Sequence, residues 1–137
     1  MRTILTALTT LAACQAAKRK LDVPARQERE YASGGVKLTA LRNEGAAFGL
    51  PVPVKAVAAA SAGAMGLLWL GRKKAPVSSG LVLGGGLSNL LERLKNGAVY
   101  DYVQFPKAPE AVRPYVFNLA DFAIFAGALG LCLKKKR

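Results

Sequence analysis

Histidine is absent from this chain of 137 residues, and cysteine occurs only twice, as Cys14 and Cys132. Without histidine, every mechanism that relies on an imidazole base is excluded. Both thiols sit inside apolar runs, so neither a disulfide framework nor a zinc site is expected, and no other metal or cofactor is expected either. Acid–base chemistry must then come from carboxylates, Lys, Tyr or Cys. Aromatic residues make up 7% of the chain and nowhere interleave with its basic clusters, as they would in a nucleic-acid module.

The chain has instead a large apolar share beside many charges: 52% hydrophobic and 20% charged residues. That combination implies segregation into apolar blocks and charged loops, the pattern of a membrane protein with room for one domain over 1–137. The net charge of +12 does not point to nucleic acid, because of where the cations stand. Lys73 and Lys74 close one apolar run, and Lys134-Lys135-Lys136-Arg137 close another, where basic side chains meet lipid headgroups. Membrane lipid is therefore the expected environment, with no nucleic-acid partner.

Four apolar runs appear: Thr3 to Ala17, Pro51 to Leu70, Val77 to Leu91 and Tyr115 to Leu133. Read as spans they extend approximately over 2–20, 50–71, 76–93 and 115–133, leaving extramembrane segments at 21–49 and 94–114. The first is short beside the ~20 residues a helix needs to cross hydrocarbon, and snorkelling of Lys18 or Lys20 would extend it. Val36 to Leu41 alternates loosely and predicts a strand. Pro106, Pro109 and Pro114 predict a loop from Glu92 to Pro114, with room for a short extended piece. Gly84-Gly85-Gly86 lacks the spacing of a phosphate loop and suits close helix approach in lipid. Four spans put both termini on one side, with Arg2, Arg72-Lys73-Lys74 and the basic tail, which points to a cytoplasmic location for that side.

Ionisable residues at the ends of spans are costly and are functional candidates for that reason. Asn89, Glu92 and Arg93 fall at i, i+3 and i+4 of one helix face, Asn118 and Asp121 at i and i+3 of another, and Asp101 lies between them. An aspartate among Phe117, Leu119, Phe122 and Ile124 needs a raised pKa or a partner. Two aspartates sharing a proton would serve amide hydrolysis, one taking a proton from water while the other polarises the carbonyl. A structural reading fits the spacing equally well: Asp121 paired with Arg93 as an interhelical salt bridge, Asp101 an ordinary loop residue, Asn89 and Asn118 interhelical hydrogen-bond partners.

The surrounding residues carry a resemblance that separates the two. Gly84-Gly85-Gly86-Leu87-Ser88-Asn89-Leu90-Leu91-Glu92-Arg93 through Gly97-Ala98-Val99-Tyr100-Asp101-Tyr102 resembles the GGAxGNxxDRxxxGxVVDF motif of bacterial lipoprotein signal peptidase, signal peptidase II. Phe117-Asn118-Leu119-Ala120-Asp121 matches that family's FNxAD motif, and Asn43-Glu44-Gly45-Ala46-Ala47-Phe48-Gly49 resembles its NxGAAFG motif. The resemblance covers roughly Asn43 to Gly130, with the motifs in the family's order. It implies an all-α membrane protein of four transmembrane helices with a small extracytoplasmic β-containing platform. It also implies an aspartic endopeptidase that cleaves lipid-modified prolipoproteins just before the lipidated cysteine, as a monomer in the bacterial cytoplasmic membrane. Asp101 and Asp121 match the family's catalytic aspartates, and Asn43, Asn89, Arg93 and Asn118 its polar residues around the active site.

Three departures accompany the match. Glu92 stands where the family usually has Asp, Ser88 where it has Gly, and Cys14-Gln15-Ala16-Ala17-Lys18 lacks the acid of the usual Asp-Gln-x-x-Lys. The altered first-span motif and Glu92 favour the competing reading, a catalytically silent relative that binds lipoprotein signal peptides or assists assembly. A small channel or transporter using Asp121 would leave the Asn43 motif unexplained. Leu11-Ala12-Ala13-Cys14 also reads as a lipobox, but the same segment aligns with the family's first helix, so a span is expected there.

Overall fold

The computed structural model describes residues 1–21, 28–46 and 50–135. Arg26, the Ala47-Phe48-Gly49 half of the third motif and the terminal Lys136-Arg137 lie outside the described residues. The described residues form helices α1 (Arg2–Leu21), α2 (Val54–Gly71), α3 (Pro76–Asn96) and α4 (Leu119–Lys135) and a small sheet of β1 (Arg29–Tyr31), β2 (Val36–Asn43), β3 (Val99–Gln104) and β4 (Val116–Phe117).

Local signals set most helix ends. Pro76 occupies the first turn of α3, where its missing N–H costs nothing. Gly97 ends that helix in the left-handed region at φ 71°, and its N–H returns to the Arg93 carbonyl at 2.9 Å. Lys18, Arg19 and Lys20 crowd the last turn of α1, the negative end of the helix dipole.

Helix α3 is the centre of the bundle, packed against α1, α4 and α2. Small residues allow it. A Cβ on Gly84 would lie 2.5 Å from the Ala7 carbonyl oxygen of α1, and one on Gly85 would lie 2.7 Å from the Ala120 carbonyl oxygen of α4. Both neighbouring backbones therefore touch α3 with no side chain between them, as is usual for helices packed in lipid. The large apolar side chains point outward instead: Leu8, Leu67, Leu70, Leu129 and Leu133 are all exposed, while buried apolar positions include Ala58, Ala98 and Ala120. That is the reverse of a water-soluble core. Among the described residues one helix, Val54–Gly71, is both long and apolar enough by length and composition to cross a membrane.

The sheet is antiparallel in the order β1-β2-β3-β4, with Leu41 opposite Asp101 and Val103 opposite Phe117. The predicted strand from Val36 extends two residues beyond Leu41, to Asn43, with a register shift between Leu38 and Leu41. The expected loop from Glu92 to Pro114 is corrected in two places. Helix α3 continues to Asn96, and Val99–Gln104 is a strand in the middle of the sheet, held by partners about 60 positions earlier in the chain. The fourth apolar run begins as strand β4, and its helix starts only at Leu119.

Candidate active site

Asp101 is placed by β3 and is 4% exposed. Asp121 is placed by the first turn of α4, through a reciprocal pair of hydrogen bonds. The Asp121 N–H donates to Asn118 Oδ1 at 3.0 Å, and the Asn118 N–H donates to Asp121 Oδ2 at 2.9 Å. This is a capping box with Asn at the cap and Asp three residues on, and it explains why the two polar residues stand at that spacing before an apolar run.

Asn118 is also the bridge between the two carboxylates. Its Nδ2 donates to Asp101 Oδ1 at 2.8 Å and to Asn89 Oδ1 at 3.1 Å, and Asn89 Nδ2 donates to Asp121 Oδ1 at 3.3 Å. From the other side Asn43 Nδ2 reaches Asp101 Oδ2 at 3.4 Å. Asn43 Oδ1 accepts the Gly45 N–H at 3.0 Å, and Arg93 Nη2 donates to the Gly45 carbonyl at 3.2 Å, which fixes the turn after β2 against α3. All six sequence-predicted site residues, Asn43, Asn89, Arg93, Asp101, Asn118 and Asp121, line one cleft of about 710 Å³. Val57, Ile124 and Phe125 give the same cleft an apolar wall.

Burial pushes the Asp101 carboxyl up to about 7, and the neighbouring Asp121 charge pushes the same way. The bonds from Asn118 and Asn43 and the nearby Arg93 guanidinium oppose both without cancelling them. Asp101 can therefore hold or release a proton near neutrality, as a general acid or base must.

Two sequence readings change. The Asp121–Arg93 salt bridge is not formed: among the described residues no ion pair joins them, and Arg93 faces the cleft and Gly45. Glu92 does not line the cleft with Asn89 and Arg93. It turns to the back of the site, where it pairs with Lys18 and accepts the Tyr100 N–H at 2.7 Å. Lys18 accordingly turns into the protein instead of snorkelling along α1. Cys14 of the lipobox-like run is 4% exposed inside an unbroken α1, beside Ser88 of α3.

Tyr102 was not anticipated. Its hydroxyl accepts the Leu119 N–H at 2.9 Å, tying β3 to the start of α4 directly behind the carboxylates. The alternation of Tyr100-Asp101-Tyr102 would have identified it, had that stretch been read as a strand.

The sequence profile of the signal peptidase (SPase) II family matches residues 6–135. A lipoprotein signal peptidase of Methylobacterium sp. (strain 4-46) is 35% identical over 147 aligned positions, covering 94% of this chain and 85% of that protein. Those of Nitrobacter hamburgensis and Methylorubrum extorquens are 42% and 41% identical over 59% of this chain, which spans 54% and 48% of their own length. Two solved structures, each a bacterial membrane enzyme determined in meso, at 2.3 Å and 1.9 Å resolution, share the fold. Their TM-scores are 0.84 and 0.82 at 20% identity, each over 96% of this chain and over 85% and 90% of theirs.

Proposed function

Because the chain belongs to the signal peptidase II family, we propose that it is an aspartic endopeptidase that removes the signal peptide of lipid-modified prolipoproteins before the lipidated cysteine. The observation that carries this reading is the Asn118 side chain, which joins Asp101 of β3 to the Asp121 network of α4 at one cleft.

In this mechanism the pair shares one proton. The ionised carboxylate removes a proton from water held between the two, and the protonated one donates to the scissile carbonyl oxygen as the water oxygen bonds to its carbon. Collapse of the tetrahedral intermediate breaks the C–N bond, and the leaving nitrogen takes a proton from the pair. Asn43, Asn89, Arg93 and Asn118 hold the carboxylates and the peptide backbone in register, and the wall of Val57, Ile124 and Phe125 receives apolar parts of the substrate.

The four helices cross the bacterial cytoplasmic membrane as a single domain over 1–137, monomeric, with the sheet and the cleft on the extracytoplasmic side and both termini in the cytoplasm. The outward-facing leucines and the charge distribution support this arrangement. Arg2, Arg72, Lys73, Lys74 and Lys134 gather at one end of the bundle, where Lys134 Nζ donates to the Lys74 carbonyl at 3.1 Å.

The test is complementation in bacteria depleted of their own signal peptidase II, following prolipoprotein processing by gel shift. Wild-type protein restores the mature form, and Asp101→Asn or Asp121→Asn at equal expression does not. Wild-type protein that accumulates in the membrane and leaves the precursor intact would refute the enzyme and favour the silent, peptide-binding relative suggested by Cys14 and Glu92.

A further inference from the structure

Behind the cleft lies a second polar cluster, Lys18, Glu92 and Tyr100, which borders the far side of Asn89 and Asn118. Glu92 is 7% exposed, a costly place for a carboxylate unless it is both paired and hydrogen-bonded. It is both. Lys18, 74 positions earlier on α1, supplies the opposite charge, and its Nζ also lies 5.0 Å from the centre of the Tyr100 ring. The same oxygen, Oε1, accepts the Tyr100 backbone N–H at 2.7 Å.

That amide matters because of what β3 lacks. On one side β3 pairs with β2, where Leu41 opposes Asp101, but the pairing is irregular between Leu38 and Leu41. On the other side β4 reaches only Val103 and Gln104. The N–H immediately before Asp101 is bonded by a side chain of α3 where a longer fourth strand would have bonded it.

We infer that the Lys18–Glu92 pair is a positioning device for the proposed peptidase: Lys18 holds Glu92, and Glu92 holds the Tyr100 amide, which sets Asp101 against Asn118. The inference rests on the Asp101/Asp121 reading of the site. On this backbone the glutamate reaches both partners, and the aspartate usual at this place in the family ends one methylene short of them. Lys18 and Glu92 touch neither the cleft nor its substrate wall, so their removal acts through β3.

The experiment uses the full chain in detergent micelles with a synthetic lipidated signal peptide. Glu92→Asp preserves charge and shortens reach, and it lowers kcat about tenfold while KM moves by less than about threefold, as loss of one positioning hydrogen bond predicts. Lys18→Met with Glu92→Met removes both charges together, leaving no unpaired ion, and lowers kcat further. Lys18→Arg, which keeps the pair, restores kcat to within about threefold of wild type. Hydrogen exchange at the Tyr100 amide provides a readout independent of turnover: it accelerates at least about tenfold in Glu92→Asp, while the amides of central α3 do not change. A wild-type chain without turnover would sink the peptidase reading and leave the exchange measurement to decide the clamp. Unchanged Tyr100 exchange in Glu92→Asp, or a kcat loss that only tracks the fraction of folded protein, would overturn it.

Discussion

The two ends of the helix bundle handle charge in opposite ways. At the end carrying the sheet, three charged groups are buried and individually placed among exposed ones: Asp101, Glu92 and Arg93 are each less than 9% exposed, and each has hydrogen-bond partners. At the far end Arg2, Lys73 and Lys74 are exposed, and in the sequence none of the eight acidic residues lies near them; all fall at 22–44 or 92–121. One end uses charge by position, where an ångström matters. The other would use it as a sum in the proposed topology, where any cation serves to orient the chain in a membrane.

Substitutions break this comparison to very different extents. The largest effect falls on the pair itself: Asp121→Asn keeps the capping geometry and lowers turnover of a lipidated peptide on the order of 10³-fold or more, as loss of an essential acid–base group does. Asn118→Ala comes next, because one side chain serves two purposes. It lowers kcat about 10²-fold by releasing Asp101 and costs about 1 kcal/mol of stability by uncapping α4. Asn118→Ser separates the two, recovering most of the melting temperature and little of the activity, since a hydroxyl caps the helix without bridging the carboxylates.

A smaller effect has a definite sign. The Asp101 carboxyl is pushed up to about 7 in the folded protein, against about 3.9 for an unperturbed aspartate in the unfolded chain. The folded state binds the proton more tightly, so stability falls as pH rises from about 4 to about 7 and stays reduced above that window. Asp101→Asn removes the penalty and raises Tm more at pH 8 than at pH 5 in thermal unfolding scans; an equal gain at both would contradict the burial argument. The smallest effect belongs to the basic end. Lys73→Gln leaves kcat and KM within about twofold of wild type, because exposed charges there are interchangeable.

The same contrast marks what the sequence made legible. Asp101, Asp121, Asn89, Asn118 and Arg93 were found because polar residues at the ends of apolar runs are costly enough to need a reason and because two motifs surround them, and Asn43 only through the motif it opens. All six meet at one cleft. Strand β3 was hidden by the prolines that follow it and by partners far away in the chain: Val99 pairs with Asn43, a contact no local window contains. The start of α4 was placed too early because Tyr115 to Phe117 is as apolar as the helix, and only the cap at Asn118 separates them. The contact of Lys18 with Glu92 spans 74 positions; by sequence Lys18 reads as a snorkelling residue and Glu92 as a member of the Asn89–Arg93 face.

The capping box has one more consequence. Because the Asp121 carboxylate accepts the Asn118 N–H, an oxygen that the proposed mechanism would protonate also closes the first turn of α4. Under that mechanism each cycle would loosen and retighten a backbone bond, and a ¹⁵N label at Asn118 would make the amide a spectroscopic clock for proton movement at Asp121.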